Sequence, residues 1–176
     1  MKKFIFIGIV PFLFLISCAQ KSLTSYSVEI PGSAINKYLQ KEFPVEKELP
    51  VGKIIFKNPK AVINDENDRL KIGSTISLKI PFVPEQTGKI YVSGNIAFDQ
   101  QKKELYLINP KLENLSFNNQ NLTKYLPSNV NNILSQTVTE IFKQLPIYKI
   151  DKKSVQGRFI KDIKIEKGKL LLIFGI

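Results

Sequence analysis

The stretch Ser128 to Pro146, "SNVNNILSQTVTEIFKQLP", constrains the fold more than any other part of the chain. Ser128 can cap a helix and Pro146 must stop one, because proline has no N–H and clashes with the preceding turn. Between them Val130, Ile133, Leu134, Val138, Ile141, Phe142 and Leu145 cover an arc of about 180° at 100° per residue. A helix lying on a flat sheet needs a stripe of only about 100°. The spacing therefore predicts a long amphipathic helix with a sheet curled around it.

The rest of the chain supplies that sheet. From Ile54 the apolar period is two: Ile54 and Phe56, then Leu70, Ile72, Ile76, Leu78, Ile80 and Phe82, then Ile90, Val92, Ile96 and Phe98, then Leu105 and Leu107. The polar stretches "NDEND" (Asn64 to Asp68), "PEQTG" (Pro84 to Gly88) and "DQQKK" (Asp99 to Lys103) separate the runs as turns, so the strands form an antiparallel meander. Gly94 suggests a bend and Asn109-Pro110 a kink. Ile35, Tyr38, Leu39 and Phe43 mark a shorter helix from Pro31 to Pro44, with "VEKELPVG" as its link to the first strand of the meander. "IYKI" from Ile147, the run Phe159 to Ile165, a Lys167-Gly168 turn and "KLLLIFGI" add strands at the end. The expected class is α+β: a strongly curved antiparallel sheet wrapped around a long amphipathic helix, plus a shorter N-terminal helix.

The first residues have another purpose. Lys2 and Lys3 precede thirteen uncharged residues, Phe4 to Ile16, and the small residues Ser17, Cys18 and Ala19 follow. This is the pattern of a secretory signal; the run is shorter than the roughly 20 residues of a membrane-spanning helix and contains Pro11. Leu15-Ile16-Ser17-Cys18 resembles the bacterial lipobox. That resemblance implies cleavage after Ser17, a diacylglycerol thioether on Cys18, and N-acylation of the freed amine. Ala19, where Asp would mark inner-membrane retention, favours the outer membrane, facing the periplasm. The expected division is a signal peptide over 1–17, lipidated Cys18 and a short tether over 18–27, and one domain over 28–176.

Composition narrows the chemistry. The chain has one Cys and no His, which excludes an intrachain disulfide, a Cys/His nucleophile pair and the usual zinc sites. No cofactor, no metal site and no enzymatic activity are expected. Asp65, Glu66 and Asp68 crowd one turn instead of flanking a cleft, so a carboxylate hydrolase is the weakest alternative. The net charge of +11 falls by two with the loss of Lys2 and Lys3. Such a surface suits anionic head groups; export and the presence of only two arginines, Arg69 and Arg158, argue against nucleic acid. The basic stretch Lys149 to Lys169 reads most simply as the wet face of strands, and otherwise as a head-group patch.

"YSVEIPGSAINKYLQKEF", "ELYLINPKLENLSF", "FKQLPIYKI" and "GRFIKDIKIEKGKLLLIF" together resemble, in order and spacing, the YceB-like family of bacterial lipoproteins, over Tyr26 to Phe174. The resemblance implies a tubular lipid-binding architecture with a hydrophobic groove, and no catalytic residues. The mid-element positions Ile133, Val138 and Phe142, facing Ile76, Leu78, Ile96 and Phe98, are the candidate groove. The expected protein is a monomer, anchored to the membrane through Cys18, that binds a fatty acid or phospholipid. The alternative is a structural or adaptor lipoprotein whose core is filled and which recruits a protein partner.

Overall fold

The computed structural model describes residues 25–50, 52–64, 68–117, 130–151 and 159–175. The elements run β1 (Ser25–Ile30), α1 (Gly32–Glu42), β2 (Val45–Leu49), β3 (Gly52–Asn64), β4 (Arg69–Lys79), β5 (Gln86–Asp99), β6 (Glu104–Phe117), α2 (Val130–Gln144), β7 (Pro146–Lys149), β8 (Phe159–Glu166) and β9 (Lys169–Gly175). Strands β2 to β7 pair in chain order, every pair antiparallel, and form a strongly curled half-barrel. A second sheet has the order β1-β9-β8. The meander read from the alternation of apolar residues is thus present as β3 to β6.

The curl has local causes. Register shifts break the ladder between Lys57 and Lys60 of β3 and, where β5 meets β6, around Val92 and between Ser93 and Asn95. Such bulges increase twist and bend a strand. In β3 the bulge also changes which residues face inward: Ile54 and Phe56 are buried before it, Ala61 after it. Asn58, inside the bulge, has a φ of 51°, a left-handed conformation that asparagine tolerates. Arg69 stabilises the bend in β5 and β6. Its guanidinium donates to Ser93 Oγ at 3.0 Å, to the Ser93 carbonyl at 2.9 Å, to Asn95 Oδ1 at 3.3 Å and to the Asn109 carbonyl at 3.2 Å. The acceptors displaced from a regular ladder are satisfied by one side chain.

The helices differ from expectation. The long amphipathic helix is a short one: α2 has 15 residues, about 22 Å. Its last backbone bond runs from the Leu145 N–H to the Ile141 carbonyl, and Pro146, lacking an N–H, begins β7 instead. The dry stripe is also narrower than the apolar positions suggested: Leu134, Val138 and Phe142, spaced four apart, are fully buried, while Ile133, Ile141 and Leu145 are half-buried flanks. Residues 128 and 129, and the side chain of Val130, lie outside the described residues.

α1 buries Ile35 and Leu39 and lies along β3 beyond the end of β2. Asn36 docks it there. Its Oδ1 accepts from the Ala61 N–H at 2.7 Å and its Nδ2 donates to the Ala61 carbonyl at 3.1 Å. The segment "VEKEL", read as part of a link, is strand β2, and the expected tether over 18–27 is already strand from Ser25. At the other end of the pattern, Phe82 does not belong to the dry face: β4 stops at Lys79 and Phe82 stands fully exposed in the turn with a φ of 63°. The β8–β9 hairpin turns through Lys167 and Gly168, both at positive φ, as the two-residue turn predicts.

Candidate functional site

Four of the groove candidates are plain core. Ile76, Leu78, Val138 and Phe142 have no exposed surface. Phe142 on α2 meets Phe56 on β3 edge-to-face, with ring centroids 6.0 Å apart. Side chains therefore occupy the contact between helix and sheet at this point. Ile133 is half-buried on the flank of α2. Cys18 lies outside the described residues, as does the densest part of the acidic turn, Asp65 and Glu66.

Ile96 and Phe98 occupy a different place. β4 pairs with β5 only as far as Gly94, opposite Leu70, so residues 95–99 of β5 extend beyond their neighbour. β8 of the second sheet comes alongside this extension, and the Gln100 side-chain amide donates to the Ile160 carbonyl at 2.7 Å across the junction. Two clefts of about 240 and 370 Å³ lie along the seam, and both are lined by Ile96 and Ile163. Phe98 and Ile160 line the first, and Ile165 the second. Ile96, Phe98, Ile163 and Ile165 are only half-buried, so apolar side chains from two sheets line an incompletely filled space. Its rim is mixed in charge: Lys161, Lys164, Asp162 and Glu166, with Lys164 only 3.8 Å from Asp162. Lys103 sits 5.7 Å from the centroid of the Phe98 ring.

Ile96 and Phe98, expected to face the α2 helix across a groove with Ile133, Val138 and Phe142, instead line this seam opposite Ile160, Ile163 and Ile165, which were not among the expected residues. The alternation of β8 was visible; its approach to β5 depends on the relative lengths of β4 and β5, which alternation does not encode.

The end of β5 is closed by a polar cluster. Glu104, paired with Asp99 in the β5–β6 hairpin, accepts from Lys149 of β7 at 2.8 Å and from the Tyr106 hydroxyl at 2.5 Å. The Lys149 ammonium, and after it the Tyr106 hydroxyl, hold the Glu104 carboxyl below its ordinary pKa, and the same bond pushes Tyr106 up to about 12. Burial, and then the charge of Glu42, push Tyr38 to about 12 as well. By accepting from Lys149 of β7 and from Tyr106 of β6, the Glu104 carboxylate ties β7 to β6. The C-terminal lysines behave similarly: Lys149 pairs with Glu104, Lys164 with Asp162 and Lys169 with Glu29. Among the described residues no group of three or more Cys, Asp or Glu is placed to hold a metal ion, and no helix is long and apolar enough to cross a membrane.

No curated protein matches the chain. A family model described as "Protein of unknown function (DUF1439)" matches residues 30–169, from the end of β1 to the start of β9, and the chain belongs to that family.

Proposed function

We propose that this protein is a lipoprotein of the outer membrane, YceB-like in type, held by acyl chains on Cys18 and accepting an apolar chain, a fatty acid or the tail of a phospholipid, in the seam between β5 and β8. The single observation behind this reading is the set of half-buried apolar side chains, Ile96, Phe98, Ile163 and Ile165, lining adjoining clefts between two sheets. Taken together the clefts reach the size range of ligand sites, roughly 300–1,000 Å³, and they combine an apolar floor with a polar, charged rim suited to a chain that ends in a head group. Several acyl chains on one residue anchor far more firmly than a single chain. The experiment is mass spectrometry of organic extracts from the purified full chain. A defined acyl lipid beyond the covalent anchor is expected in the wild type, and Phe98→Asp should abolish it while acyl labelling of Cys18 persists. No such lipid, and no uptake of a fluorescent fatty acid, would defeat the reading.

A second reading, an adaptor lipoprotein without a ligand, is favoured by one fact: the contact between α2 and the sheet is filled, with Val138, Phe142, Ile76 and Leu78 all fully buried. It predicts a co-purifying protein and no lipid.

A further inference from the structure

The outer face of the half-barrel carries a site of different chemistry. Register defines it. Lys60 of β3 is opposite Gly73 of β4, which is opposite Tyr91 of β5; in the next row Lys57 is opposite Thr75, which is opposite Lys89. These residues point away from the core, because the buried residues of β4 and β5 are the alternate ones, Ile72, Ile76, Ile90 and Val92.

In the first row the central side chain is missing. A Cβ on Gly73 would stand 3.0 Å from the Tyr91 ring, so the ring rests against bare backbone and its own surface stays 41% exposed. The result is a cleft of about 360 Å³ with Gly73 as floor. It adjoins a second cleft of about 680 Å³ between α1 and the β3 bulge, walled by Phe43, Pro44 and Pro59, and Lys60 and Asn58 line both. Four lysines, Lys57, Lys60, Lys71 and Lys89, line the two clefts and no carboxylate does. Lys71 is bonded to Glu113 at 2.6 Å; among the described residues Lys57, Lys60 and Lys89 have no ion pair.

We propose that this face binds a phosphorylated sugar, with the phosphate between Lys57 and Lys89 over the Thr75 hydroxyl and the sugar ring beside Lys60 against the exposed surface of Tyr91. Strands β3 and β5 are roughly 10 Å apart at two strand spacings, so two lysine side chains converge on one group placed above β4. A phosphate monoester carries −1.5 to −2 charge at neutral pH and offers three acceptor oxygens, which suits several point-charge donors better than a carboxylate does. Tyr91 supplies a flat amphipathic surface for a ring, and Asn58 and Thr75 supply hydrogen-bonding groups for hydroxyls. The same chemistry occurs in a soluble sugar phosphate and in the head group of a phosphorylated glycolipid. The site is separate from the seam and independent of what the seam binds.

The test is calorimetric titration of the full chain in detergent, with N-acetylglucosamine 6-phosphate in one arm and mixed micelles containing a phosphorylated N-acylglucosamine lipid in the other. Binding in either arm is expected, identifies the source of the ligand, and should weaken as salt is raised. Lys60→Glu should weaken it roughly tenfold or more, since it removes a charge-assisted contact, and Lys60→Gln by less. Tyr91→Ala should lower affinity for the sugar phosphate without changing that for inorganic phosphate. Lys169→Gln, on the other sheet, should change nothing. Binding in neither arm, equal affinity in wild type and Lys60→Glu, or inorganic phosphate binding as tightly as the sugar phosphate would each overturn the proposal.

Discussion

β5 is one strand with two different halves. Up to Val92 it alternates between fully buried and exposed residues; beyond Gly94 every residue is half-buried. The apolar spacing is the same in both: Ile90 and Val92, then Ile96 and Phe98. The first half lies between β4 and β6, and the second has β6 on one side and only the approach of β8 on the other. Burial therefore follows from what lies beside a strand, not from the strand's own pattern. A tightly packed half gives stability, and a half with spare room gives the chain a place to admit something else.

Truncation at equivalent positions is the largest way to break this comparison. Ile90→Ala, in the packed half, should cost about 2 to 5 kcal/mol, the range for a fully buried isoleucine that leaves a cavity. Ile96→Ala, in the seam, should cost about 1 kcal/mol, because a half-exposed side chain loses less burial and leaves a space open to collapse or water. Chemical denaturation of the two variants reads both, and equal losses would mean the seam is ordinary core. The bend between the halves comes next. Arg69→Ala removes four hydrogen bonds from a cation and leaves the carbonyl of buried Ser93 without its guanidinium donor, so a loss of about 2 kcal/mol is expected by the same measurement. A loss near zero would mean water replaces the guanidinium without penalty.

The smallest effect is at the closed end of the open half. Lys149 and Tyr106 hold the Glu104 carboxyl below its ordinary pKa. Its stabilisation is therefore complete above the unfolded value of about 4.3 and is lost as pH falls through the lowered folded value. Glu104→Gln should be less stable than the wild type by about 1 kcal/mol at pH 7, with the difference vanishing at acid pH. A difference that persists unchanged at low pH would assign the effect to packing.

These contrasts mark what the sequence could convey. Alternation located β3 to β6 and their order, because a half-buried antiparallel strand has to alternate. Pro31, Pro44 and Pro146 bounded both helices, through chemistry that acts within a few residues. The helical arc of Val130 to Leu145 overstated the dry face, because half-buried flanks carry the same apolar residues as a buried stripe. Strand β2, "VEKEL", escaped notice since three of its five residues are charged and exposed. The seam was not legible: alternation marks Ile96 and Phe98 as inward-facing and suggests the helix as their partner, whereas their neighbours on β8 are about 65 residues away in the chain and meet them only through topology. Lys57 and Lys89 converge for the same reason, by register across β4.

The Asn36 side chain has a consequence beyond docking α1. β2 covers β3 only through Phe56, so the remainder of β3 is an edge that could template a strand from another molecule. Asn36 fills both the donor and the acceptor of Ala61, as a neighbouring strand would, and Pro59, two residues earlier, has no N–H to offer. A lipid anchor would concentrate many copies in two dimensions, where edge-to-edge pairing grows into aggregates. One amide and one proline leave the edge of β3 little with which to begin them.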